Sequence, residues 1–96
     1  MKARFDWETG TGRNRKRYVV HRCASGKFSK MAVECGGSMI PRQATQQDAR
    51  NLLRSVKKGS VRVWDEKSGY DRRSSIDEIP ESVMGELKEY LKNYTP

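Results

Sequence analysis

The chain has 96 residues, 34% of them hydrophobic and 33% charged, and a formal net charge of +8. Domains usually run to ~100–200 residues, so residues 1–96 make a single domain with a modest core and little stability to spare. No apolar run reaches the ~18 residues that cross a bilayer, and the opening MKARFDWETG lacks the apolar stretch of a secretory signal. Two cysteines without an export signal imply free thiols and a cytoplasmic location, with no membrane partner.

The charge is unevenly spread. Residues 1–74 hold 18 Lys or Arg against 7 Asp or Glu, whereas residues 75–96 hold 2 against 5. A basic body with an acidic last segment bears on partners and solubility rather than on fold, and it raises the question of whether that segment shields the basic surface.

The first segment alternates, with Ala3, Phe5 and Trp7 on one parity and Lys2, Arg4 and Asp6 on the other, which is the period of a half-buried strand. Gly10 and Gly12 break it, and residues 9–16 read as a flexible basic loop holding Arg13, Arg15 and Lys16, continued by Arg17. The glycine and lysine spacing there does not match a phosphate-cradling GxxxxGKS or GxxxxGKT loop. A hairpin follows over about residues 17–35. A two-residue turn at Ser25-Gly26 would pair Cys23 with Phe28, Val20 with Met31 and Tyr18 with Val33. One face then carries Tyr18, Val20, Met31, Val33 and Cys35 and is the core side. The other carries Arg17, Val19, His21, Cys23, Phe28, Lys30, Ala32 and Glu34. The two cysteines fall on opposite faces, so no disulfide joins them and both read as buried or half-buried thiols.

Gly36-Gly37 ends the hairpin, and a loop through Pro41 leads to a helix. Thr45 is its N-cap, and Asp48 favours the positive end of the helix dipole. Ala49, Leu52, Leu53 and Val56 form one apolar stripe, and Gly59 is a natural stop after Lys57 and Lys58. Residues 60–65 read as a strand with Val61 and Val63 on one side and Arg62 and Trp64 on the other. Residues 70–73 suggest a short return strand. A last helix over about residues 80–93 buries Val83, Met84, Leu87, Leu91 and Tyr94. Gly85 weakens it unless close packing needs the missing side chain. The expected fold is α+β: an antiparallel sheet of three to five strands with two helices on one face, in the order β-β-β-α-β-(β)-α.

Candidate chemistry is sparse. His21 and Cys23 share a strand face but lack an orienting third group, so no catalytic site is expected. His21, Cys23 and Cys35 are too few and too divided for zinc, which takes four ligands in closely spaced pairs, so no metal and no cofactor are expected. Asp77, Glu78 and Glu81 precede the last helix, where the dipole favours negative charge, and Ser75 with Glu78 has capping-box spacing.

The basic residues carry the functional expectation. Arg13, Arg15, Lys16 and Arg17 lie in or beside the loop, with Lys30 on the hairpin. Arg50, Arg54, Lys57 and Lys58 lie off the apolar stripe of the first helix, and Arg62, Arg72 and Arg73 lie on the late strands. Neutralising phosphates with such side chains releases condensed counterions, the main source of affinity for nucleic acid. Phe28 and Trp64 would add stacking where solvent-exposed.

The strand-turn-strand, followed by Ala44-Thr45-Gln46-Gln47-Asp48-Ala49 and a helix with Leu52 and Leu53, resembles the arm-binding domain at the N-terminus of tyrosine recombinases. The resemblance spans residues 17–58 and implies a sheet that enters a DNA groove. The chain departs from that family in having Gln43-Ala44 where an aromatic residue usually precedes the threonine, and it has no recombinase catalytic domain.

The expected function is therefore a small, basic, non-enzymatic module that binds nucleic acid through a positively charged sheet and loop face, with no small-molecule substrate. The alternative is a protein-interaction module or small inhibitor, of the kind phages and mobile elements encode, docking on an acidic protein or nucleoprotein surface. That reading calls for aromatic anchors beside the basic residues, with Trp7, Trp64 and Tyr70 as candidates.

Overall fold

In the computed structural model of the chain, residues 1–36, 40–56, 60–65 and 69–96 are described, Asp65 and Tyr70 by their backbone alone. The alternating segments become strands β1 (Ala3–Thr9), β2 (Lys16–Arg22), β3 (Ala32–Cys35), β4 (Arg42–Gln43), β5 (Ser60–Asp65) and β6 (Tyr70–Ser74). The two apolar stripes become helices α1 (Gln46–Ser55) and α2 (Glu81–Lys92). All six strands join in one antiparallel sheet of order β4-β3-β2-β1-β5-β6. The class is the expected α+β, with one strand more than the expected maximum. The extra strand is β4, two residues long, too short to show periodicity.

Both helices cover one face of the sheet. Phe5, Tyr18, Val20, Val33, Val61 and Val63 from the strands meet Ala49 and Leu52 of α1, its C-cap Val56, and Val83, Leu87 and Leu91 of α2 in one core. Thr45 caps α1 through a full capping box, its side chain accepting from the Asp48 N–H while the Asp48 carboxylate accepts from the Thr45 N–H at 2.8 Å. Two tyrosines tie α2 to the sheet side: Tyr94 Oη donates to the Ala44 carbonyl at 2.9 Å and Tyr90 Oη to the Ser29 carbonyl at 2.6 Å. Gly85 is exposed, and nothing lies within 4 Å of where a Cβ would stand, so packing does not require a glycine there.

The β2–β3 hairpin keeps the expected register in its body, with Tyr18 opposite Val33, but not at its tip. Gly26, at φ 90°, donates to the Cys23 carbonyl and Cys23 donates to the Lys27 carbonyl, closing a three-residue loop in place of the two-residue turn. Arg22 therefore faces Phe28. One extra residue on the returning strand, within residues 29–31, is a bulge that restores the register by Ala32. The longer loop moves Phe28 to the helix side, where its ring stacks on Tyr90 with centroids 5.2 Å apart. It also leaves Cys23 exposed at the turn, while Cys35 is half-buried and both thiols are free.

Residues 10–15 link β1 to β2 through a 3-10 turn at Gly12–Asn14. This link folds against the end of β3, where Gly36 donates to the Arg15 carbonyl at 2.6 Å. A Cβ on Gly36 would stand 2.7 Å from the Gly12 carbonyl oxygen, so only glycine allows that approach.

Candidate nucleic-acid interface

The uncovered face of the sheet carries the even-numbered residues of β1 and β5 and the odd-numbered residues of β2 and β6. Strand register arranges them in rows that run across the strands. In one row Arg73 lies opposite Arg62, Arg62 opposite Arg4, and Arg4 opposite His21. Three arginines and a histidine thus cross four neighbouring strands, in the order β6, β5, β1, β2. Like charges placed directly opposite one another across strands are destabilising. Asp6, one row away and buried, offsets part of this, with one carboxylate oxygen 2.8 Å from Arg4 Nε and the other 3.5 Å from Arg62 Nε. No carboxylate among the described residues pairs with Arg73.

The next row outward holds Trp64 opposite Asp71. Trp64 is 36% exposed, and the Lys2 ammonium sits 5.7 Å from its ring centroid. Lys2, Arg4, His21, Arg62, Trp64 and Asp71 line a groove of about 390 Å³ at this end of the face.

The other end of the same face has the opposite balance. Glu8, Arg17 and Glu34 form a row in which Arg17 reaches both carboxylates at 3.4 Å. The face is therefore divided. Lys2, Arg4, Arg62 and Arg73 stand against Asp6 and Asp71 at one end, and Arg17 alone stands against Glu8 and Glu34 at the other.

The sequence-nominated cations do not assemble into one surface. Arg62 and Arg73 join the arginine row. Arg17 is held by its two glutamates. Arg13, Arg15 and Lys16 are exposed at the β1–β2 link, six residues or about 20 Å along the strand from Arg4, beyond the acidic row. Arg50 and Arg54 are exposed on α1, in the layer behind the sheet, where Arg54 donates to Asn51. Arg72 points to the helix side and pairs with Glu78 at 3.3 Å. Lys30 is exposed beside Phe28 and Tyr90, near α2. Lys57 and Lys58 lie outside the described residues.

The sequence alone does not single out Lys2, Arg4 or His21 as contact residues. The parity of β1 already put Lys2 and Arg4 opposite Phe5, but nothing local says that β1 sits between β2 and β5, and that placement aligns the row. The acidic α2 lies behind the sheet and does not shield the arginine row. Its Glu86 takes Arg22 instead, at 2.8 Å. Ser75 caps a 3-10 turn at Ile76–Glu78 rather than α2 itself, accepting from the Asp77 N–H at 3.3 Å.

The helix-side carboxylates are tuned by their partners. Burial pushes the Asp48 carboxyl up, but the hydrogen bonds from Arg42 and Thr45 outweigh it and hold it below the ordinary value of 3.8. Hydrogen bonds from Ser74 and then Arg72 hold Glu78 below its ordinary value. Among the described residues, no group of three or more His, Cys, Asp or Glu side chains could hold a metal ion. No described helix is long and apolar enough to cross a membrane.

No protein-family model, curated protein or solved structure matches the chain. The likeness of residues 17–58 to recombinase arm-binding domains therefore rests on local sequence pattern alone.

Proposed function

We propose that this domain binds nucleic acid along the uncovered face of its sheet. The observation that carries the reading is the row Arg73–Arg62–Arg4–His21, in which three guanidinium groups stand in register with a single buried carboxylate beside them. That arrangement costs the folded chain electrostatic repulsion, and a line of phosphates would relieve it while releasing counterions. Lys2 and Trp64 extend the row with a further cation and an exposed ring. Arg13, Arg15 and Lys16 form a second, separate group of cations beyond the acidic row.

The protein-docking alternative has less behind it. The exposed large apolar side chains among the described residues are Met1, Ile40 and Trp64, and Trp7 is half-buried against Tyr18 with ring centroids 4.8 Å apart. Among the described side chains, which do not include that of Tyr70, these do not make the clustered aromatic anchor of a protein interface.

The test is the salt dependence of affinity for fluorescently labelled DNA and RNA. Arg4 and Arg62 also compensate Asp6, so Lys2→Gln with Arg73→Gln removes two cations without orphaning that carboxylate. The double variant is expected to bind more weakly and to flatten the slope of log affinity against log salt by about one unit per lost phosphate contact. An unchanged affinity and slope would contradict the placement.

A further inference from the structure

We infer that the preferred ligand is single-stranded, with one unstacked base lying on the Trp64 ring and its flanking phosphates on the arginine row. This rests on the nucleic-acid reading above and names the form of the ligand.

Three observations lead to it. The first is width. Six strands at ~4.8 Å spacing make a sheet about 24 Å across, whereas the major groove of duplex DNA is ~12 Å wide and admits a helix or a two-stranded ribbon. The row runs from edge strand β6 across β5 and β1 to β2, so a groove that takes the two-stranded edge β5–β6 would reach Arg62 and Arg73 but leave Arg4 and His21 outside. A flexible single strand can lie flat across the row.

The second is the ring. Trp64 stands on the uncovered face, 36% exposed, and lines the groove together with Arg4 and Arg62. Bases inside a duplex are stacked on one another and offer only their edges, so an exposed indole gains little from them. An unpaired base offers its whole face, and stacking of this kind is tolerant of sequence. The Lys2 ammonium now over the ring is the end of a flexible side chain, free to move from the indole to a phosphate.

The third is polarity. Asp71, directly opposite Trp64, repels phosphate, whereas Arg62 and Arg73 in the next row attract it. The base is thereby directed to the Trp64–Asp71 end and the backbone to the arginines. The groove of about 390 Å³ is within the ~300–1,000 Å³ range of small-molecule sites, large enough for one base.

The experiment compares anisotropy titrations of single-stranded DNA, single-stranded RNA and the matching duplexes, using the wild type, Trp64→Ala, Trp64→Phe and Lys2→Gln/Arg73→Gln. Trp64 is on the surface and outside the core cluster, so these variants should fold, which circular dichroism checks. The expected result is tighter binding of single strands than of duplex. Trp64→Ala should cost roughly tenfold on single strands and little on duplex, and Trp64→Phe should retain most of the affinity. The DNA and RNA arms decide which single strand is preferred. Equal binding of duplex and single strand, with Trp64→Ala silent and the cation variant weakened, would overturn this inference and leave the nucleic-acid reading standing. Loss of neither with either variant would overturn both.

Discussion

The two faces of this sheet handle charge in different ways. On the helix side, three strand arginines each meet their own carboxylate: Arg22 with Glu86, Arg42 with Asp48, Arg72 with Glu78. On the uncovered side, Arg4 and Arg62 share one aspartate and Arg73 pairs with no carboxylate among the described residues. The paired side reads as structure, because ion pairs there fasten helices and turns to strands. The under-paired side stores repulsion in the folded state, and a binding partner could release it. The difference is why net charge alone does not point to the proposed site. Of the chain's 20 Lys and Arg, those that matter for the proposal are the few whose carboxylates are too scarce.

If the helix side is the source of stability, truncating it should have the largest effect. Leu87 is fully buried, so Leu87→Ala should destabilise by about 3 kcal/mol in a urea titration, through lost burial and the cavity left behind. A cost below that of a surface substitution would contradict the assignment of the core.

Asp6→Ala tests the uncovered side in two directions at once. Removing the shared carboxylate should cost about 2 kcal/mol of stability, since Arg4 and Arg62 are only partly exposed and lose their partner. It should also tighten nucleic-acid binding, because a negative charge leaves the arginine row. Stability and affinity falling together would break the comparison.

Asp48→Ala removes the capping box and the Arg42 pair and should cost about 1–2 kcal/mol. The same carboxylate predicts a pH dependence. Its folded pKa lies below the unfolded 3.8, so its contribution is present above that pH and is lost as the pH falls through the folded value. Acid titration of stability should therefore be shallower below pH 4 in the variant than in the wild type.

The smallest effect is a gain. Gly85→Ala should stabilise α2 by up to about 1 kcal/mol, because a Cβ there meets nothing and alanine is the better helix former. A loss on thermal melting would mean that Gly85 is needed for something other than the helix.

Much of the fold was legible because it is written locally. The parity of Val61, Arg62, Val63 and Trp64 sorted core from surface correctly, Thr45 and Asp48 marked the start of α1, and the stripe from Val83 to Leu91 marked α2. What was not legible depended on one residue of loop length or on distant pairing. The hairpin loop holds three residues rather than the expected two, and that one residue moves Phe28 from the uncovered face to the helix side. The pairing of β1 with β5 joins segments nearly 60 residues apart, and no local pattern states it. The arginine row exists only through that pairing, so of the residues in the proposed site the sequence alone singles out Arg62 and Arg73 but not Lys2, Arg4 or His21.

The most direct test of the central claim sets one layer of cations against the other. Lys2→Gln/Arg73→Gln on the uncovered face and Arg50→Gln/Arg54→Gln on α1 each remove two charges and alter the net charge equally. Anisotropy titrations across a range of salt should show the first pair losing affinity and flattening the salt slope by about two units, with the second pair close to wild type. Equal losses in both would mean that net charge alone drives binding, and a loss confined to the α1 pair would place the site behind the sheet.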